Sequence, residues 1–190
     1  MHQSLDQSLS NRLQGLNLYL VGLMGAGKST LGKGLAAALQ YQFFDTDTLI
    51  EQATQRSIPD IFAEAGEEGF RTVETSVLAQ LCPYHHLVVA TGGGIVTRPQ
   101  NWSYLHQGLV IWIDVPVQQL FDRLQQDPTR RPLLETSNPL QKLETLLQHR
   151  RSLYGEADLH FLNDRPLETP EETLDRLLQA IPSALKSPEQ

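Results

Sequence analysis

The sequence predicts an α/β domain built on a five-stranded parallel sheet flanked by helices. Two observations carry that prediction: short apolar runs of buried-strand length recur along the chain, and segments with helix-start signals fill the gaps between them. The runs are Leu16–Leu23, Gln42–Asp45, Leu87–Thr91, Leu109–Asp114 and Asp158–Leu162. Strands separated by helices require right-handed crossovers, hence parallel pairing with both faces covered. A third observation agrees. At 190 residues, 40% hydrophobic and 19% charged, the chain suits one domain with a packed core and falls outside the disordered range.

The elements follow in order. Residues 1–15 are polar and aperiodic and read as a flexible N-terminal extension, with the domain at 16–182 and a C-terminal tail at 183–190. A helical pattern runs from Thr30 to Gln40. Pro99 and Pro116 open further helices. Asn138-Pro139 with Gln141, and Thr169-Pro170 with Glu172, each combine a cap, an N1 proline and a box residue. Gln125–Ser137 is the one long polar loop of the central region, and its arginines make it a candidate lid, about 125–137. In such sheets ligands bind beyond the carboxyl ends of the strands.

Composition excludes several partners. The net charge of −7 disfavours a nucleic-acid backbone, and the apolar runs are far shorter than the ~20 residues a membrane helix needs. The single Cys82 rules out an intramolecular disulfide and fits a cytoplasmic protein, with a monomer as the default. Eleven of the 15 basic residues are arginines, and six of those lie between Arg123 and Arg165, a bias suited to forked recognition of carboxylate and phosphate. His85-His86 lacks metal-ligand spacing and is expected in solvent.

Gly22-Leu-Met-Gly-Ala-Gly27-Lys28-Ser29-Thr30 is a complete Walker A sequence between an apolar strand and a helical pattern. Its glycines let backbone amides face phosphate oxygens, so Gly25, Ala26, Gly27, Lys28, Ser29 and Thr30 are the expected nucleotide contacts. Lys28 would reach the β/γ phosphates and Ser29 would serve Mg²⁺. Neither DxxG nor NKxD occurs, which excludes a GTPase switch, and the HRD and DFG strings of protein kinases are missing. Small-molecule and nucleotide kinases remain. Asp45 and Asp47 end the second strand, where strand alternation would lean them the same way, one toward Mg²⁺ and the other toward a substrate hydroxyl. Gly92, Gly93 and Gly94 follow the third strand and suggest a close backbone approach to a ligand.

Seven segments then resemble shikimate kinase in that family's order: the Walker A loop, Asp45-Thr-Asp47, Arg56–Phe62, Gly66–Arg71, Gly92–Gly94, Arg131–Leu134 and Arg150–Tyr154. The resemblance implies a nucleoside-monophosphate-kinase-type P-loop fold with a mobile lid, and transfer of the γ-phosphoryl group of ATP to the shikimate 3-hydroxyl. It assigns Asp47 as general base, Asp45 to Mg²⁺ through water, Arg71 and Arg150 to the shikimate carboxylate, and Arg131 to substrate and transferring phosphate. Phe62 and Phe70 would wall the ring. Arg123 and Arg165 would border the nucleotide, although Leu124 stands where the family often has an adenine-stacking arginine, and Ser152 stands where proline is common. A non-catalytic binding protein, or a kinase of gluconate or a nucleoside monophosphate, fits less well because Asp47, Arg71, Gly92–Gly94 and Arg150 are all present.

Overall fold

The computed structural model describes residues 9–127, 132–134 and 136–185. Five parallel strands, β1 (Leu18–Val21), β2 (Gln42–Asp45), β3 (Leu87–Ala90), β4 (Leu109–Asp114) and β5 (Leu159–Leu162), form one sheet in the order β2-β3-β1-β4-β5. Register is set by pairs such as Leu18 with Val88 and with Leu109, and Ile111 with Leu159. The three inner strands are buried at every position, as unbroken apolar runs covered on both faces should be. The edge strands β2 and β5 are only partly covered. The order reverses direction at β1, so a crevice opens beyond its carboxyl end, where the Walker A loop begins.

The flanking helices are α1 (residues 9–13), α2 (Lys28–Leu39), α3 (Thr46–Thr54), α4 (Ile58–Leu81), α5 (Pro99–Leu105), α6 (Val117–Gln126), α7 (Pro139–Tyr154) and α8 (Pro170–Ala184). Their starts follow local chemistry. Ser57 accepts from the Asp60 amide ahead of α4, Asn138 from Gln141 ahead of α7, and Thr169 with Glu172 completes a reciprocal capping box on α8. Helix α4 is broken at Gly66, whose φ of 67° and ψ of −175° set the stretch carrying Phe70 and Arg71 at its own angle.

Two boundaries differ from expectation. Packing begins before residue 16, because Leu9 and Leu13, four apart on α1, are buried in the main core. At the other end α8 runs through Pro182 to Ala184, and Arg12 donates to the Pro182 carbonyl, tying the two termini together. Of the expected lid, Arg130 and Arg131 lie outside the described residues. His85 and His86 are exposed, and no helix among the described residues is long and apolar enough to cross a membrane.

The main core joins all five strands to α2, α5 and α8, and each fully buried Leu, such as Leu20 or Leu35, contributes about 1.5–3 kcal/mol. A smaller cluster, Ile50, Ile61, Phe70 and Val77, packs α3 on α4 and backs one wall of the crevice.

Candidate active site

The cleft at the switch point has a volume of about 640 Å³, enough for a small substrate and a triphosphate tail. A second hollow of about 580 Å³ lies under the β2 edge, but no charged residue lines it. The chemistry belongs to the first.

On the phosphate side, shape comes from backbone. Gly22 has φ 140°, and a Cβ there would meet the Ile113 carbonyl oxygen at 2.5 Å, so only glycine leaves β1 at this angle. Gly27, at φ 86°, starts α2 without a side-chain cap, which leaves the first helical amides available to an anion. Lys28 Nζ crosses the loop to donate to the Gly22 and Leu23 carbonyls at 2.8 and 2.9 Å. Gly25, Ser29 and Thr30 line the cleft, whereas the Ala26 side chain is buried behind it.

Ser29 Oγ donates to Asp45 Oδ2 at 2.6 Å, and Asp45 Oδ1 accepts from the Asp47 amide at 3.0 Å. Asp45 is therefore both the cap of α3 and the partner of the Walker serine. The strand argument for Asp47 fails, because the chain is already helical at Thr46 and Asp47 sits in the first turn of α3. It lines the cleft from there. The two oxygen donors converging at Ser29 and Asp45 suit a hard cation. Among the described residues no group of three or more His, Cys, Asp or Glu could hold a metal, so such a cation would draw its other ligands from phosphates and water.

On the acceptor side, shape comes from buried charge. Arg71 Nη1 donates to Glu74 Oε2 at 2.7 Å and Nη2 to Glu67 Oε1 at 3.1 Å, with Arg71 5% and Glu74 0% exposed. Burial pushes the Glu74 carboxyl above its ordinary range; Arg71 opposes that shift and the nearby Asp47 charge adds to it. Burial alone would lower the Arg71 pKa, but the Glu74 and Glu67 carboxylates override it and hold it above its usual value. Sequence reading missed Glu74, whose signal was its position three residues after Arg71 on one helical face.

The glycine turn explains itself against these side chains. A Cβ on Gly94 would lie 2.1 to 2.4 Å from the Arg71 guanidinium, and one on Gly92 2.4 Å from Glu74 Oε1 and 3.0 Å from Asp47 Oδ1. The close approach expected of a ligand is thus made first by the protein itself. The Gly92 amide donates to Thr46 Oγ1 at 2.9 Å, and Arg150, 6% exposed, donates to the Gly93 carbonyl at 3.1 Å. Phe70 is mainly core, 4% exposed, with Phe62 against its ring at 4.7 Å and the Arg71 guanidinium 5.1 Å from its centroid. Both rings also line the cleft.

Arg123 Nη1 donates to the Gly25 carbonyl at 3.4 Å, and Leu124 packs where a Gly25 Cβ would fall, so α6 closes over the phosphate loop. Arg165 is not brought in. It is exposed after β5 and pairs with Glu168 at 3.4 Å.

A parallel sheet with this strand order, opening on a Walker A loop and facing a buried arginine and carboxylate cluster, defines a P-loop kinase of the nucleoside-monophosphate-kinase type. The family model described as shikimate kinase matches residues 24–182, and the chain belongs to that family. It is similar to the shikimate kinase of Nostoc sp. strain PCC 7120, 57% identical over 94% of this chain and 97% of the relative. The Synechococcus elongatus shikimate kinase is 56% identical over 95% and 94% of the two chains. Among solved structures, shikimate kinase from Acinetobacter baumannii in complex with shikimate matches at TM-score 0.84 and 41% identity, covering 92% of this chain and 97% of that one. A gluconokinase from Sinorhizobium meliloti, 17% identical at TM-score 0.59, shares the fold.

Proposed function

We infer that the chain transfers the γ-phosphoryl group of ATP to the 3-hydroxyl of shikimate, giving shikimate 3-phosphate and ADP. The observation that carries this reading is the buried pair Arg71 and Arg150 against the Gly92–Gly94 turn, with Asp47 beside Gly92 in the same cleft as the phosphate loop. Two guanidiniums fit a carboxylate, and a carboxylate at Asp47 fits hydroxyls, which together describe a small hydroxylated acid.

In this reading Arg71 and Arg150 hold the shikimate carboxylate, Phe62 and the edge of Phe70 wall the ring, and Asp47 accepts the hydroxyl proton. As the hydroxyl oxygen bonds to the γ-phosphorus, the bond to ADP breaks and the proton stays on Asp47. Lys28 and the amides of Gly25–Thr30 hold the phosphates, with Arg123 above them. Ser29 and Asp45 would hold Mg²⁺, which would screen phosphate charge when bound. The family resemblance assigns Arg131 to the transferring phosphate. The free Cys82 fits a reducing compartment, and a cytoplasmic monomer acting without nucleic acid completes the reading.

The test is ADP release by the purified chain with ATP and Mg²⁺, offered shikimate, quinate, gluconate or AMP. Release with shikimate alone is expected. Release with gluconate or AMP instead, or with no acceptor, would overturn the assignment.

A further inference from the structure

Tyr154 ends α7 one turn beyond Arg150, and its side chain is wholly buried. Its hydroxyl donates to the Gly93 carbonyl at 2.5 Å, the same oxygen that receives Arg150 Nη1 at 3.1 Å. Both lone pairs of that carbonyl are thereby used by side chains four residues apart on one helical face. Gly93 in turn lies against the phosphate loop, where a Cβ would be 3.3 Å from the Met24 amide nitrogen and 3.4 Å from the Gly22 oxygen. One carbonyl thus links α7 to both halves of the cleft.

The phenol has little freedom to leave. Its ring stacks on Trp112 of β4, centroids 5.6 Å apart and 24° from parallel, and Trp112 is itself stacked by His160 at 4.2 Å and 13°. Burial pushes the Tyr154 pKa up to about 12 against the opposing pull of Arg150, so the hydroxyl stays a proton donor at neutral pH.

We propose that Tyr154 is a positioning residue of the acceptor site: its hydroxyl keeps the Gly93 carbonyl satisfied and in place while Arg150 turns its guanidinium toward the carboxylate of the bound acid. A buried carbonyl that lost its donor would resist that turn, and acceptor affinity would suffer. The proposal rests on the reading above, which turnover of shikimate by the unaltered chain tests separately.

The experiment is steady-state kinetics of Tyr154→Phe, which removes only the hydroxyl. The shikimate KM should rise about five- to tenfold, with kcat within about threefold and the ATP KM within about twofold. Combined with Arg150→Lys, the same change should add less than about a twofold further rise, because the two residues act through one contact. An unchanged shikimate KM, equal rises for shikimate and ATP, or full additivity in the double variant would each overturn the proposal. Should Tyr154→Phe not fold, Trp112→Phe retains the hydroxyl while loosening the stack behind it. A rise in shikimate KM exceeding that for ATP is then expected, and equal or absent effects would overturn the idea.

Discussion

The phosphate side of the cleft is made by consecutive residues, Gly22 to Thr30, whereas its acceptor side draws Asp47, Arg71, Glu74, Gly92–Gly94 and Arg150 from four separate segments. The first is shaped mainly by its own backbone and one lysine, with Asp45 and Arg123 bonding to it from outside. The second buries polar side chains that pair only in part before any ligand arrives: Arg71 bonds Glu74 at 2.7 Å, while Arg71 Nε and Glu74 Oε1 have no hydrogen-bond partner. Burying charge is costly unless it is paired, so the acceptor side is preorganised and each member depends on the others. Under the proposed function, nucleotide binding and acceptor binding should therefore respond to different substitutions.

The sharpest way to break that separation is Asp47→Asn. Turnover should fall about 10²- to 10⁴-fold while ATP affinity stays within about twofold, measured by single-turnover phosphoryl transfer and nucleotide titration. Near-normal turnover would remove Asp47 as the proton acceptor. Arg71→Lys comes next. An ammonium cannot reproduce a fork shared with Glu74 and a carboxylate, so the shikimate KM should rise about tenfold or more with the ATP KM little changed.

A smaller effect should appear in stability against pH. Burial, with Asp47 adding, holds the Glu74 carboxyl above its ordinary value of 4.5. The folded chain therefore binds that proton more tightly than the unfolded chain, so this contribution favours folding at low pH and is lost as pH rises from 4.5 through the raised value. The thermal midpoint of the unaltered chain minus that of Glu74→Gln should fall across the same window, by about 2–4 °C per kcal/mol. A flat difference would mean that another group titrates there. Smallest of all is Arg165→Ala, which should leave the ATP KM within about twofold because Arg165 is exposed and engaged by Glu168.

The same contrast decides what could be read from sequence. The three inner strands were legible because parallel strands buried on both faces are unbroken apolar runs. The first was read too long: Leu16 still bonds back to Leu13, and Gly22 has already turned out of the sheet. The phosphate loop was legible because its geometry is local. The other side of the cleft was legible only in pieces, Asp47 and the Gly92–Gly94 turn, since the contact of Glu74 against Gly92 joins residues 18 apart. Only resemblance to a family supplied Arg71 and Arg150, and it did not supply their buried partner. The helix at 9–13 was missed although the sequence spaces Leu5, Leu9, Leu13 and Leu16 by four, four and three, because the residues between them are all polar or glycine and were read by composition. Asp47 was assigned to the right cleft by an argument from strand alternation that the helical start at Thr46 removes.

The most direct test of the central claim is a crystal structure of the chain with ADP and shikimate. The account predicts the shikimate carboxylate bridging Arg71 and Arg150, and its 3-hydroxyl within hydrogen-bond reach of Asp47, about 3 Å. A carboxylate bound away from both arginines, or a 3-hydroxyl turned from Asp47, would contradict it.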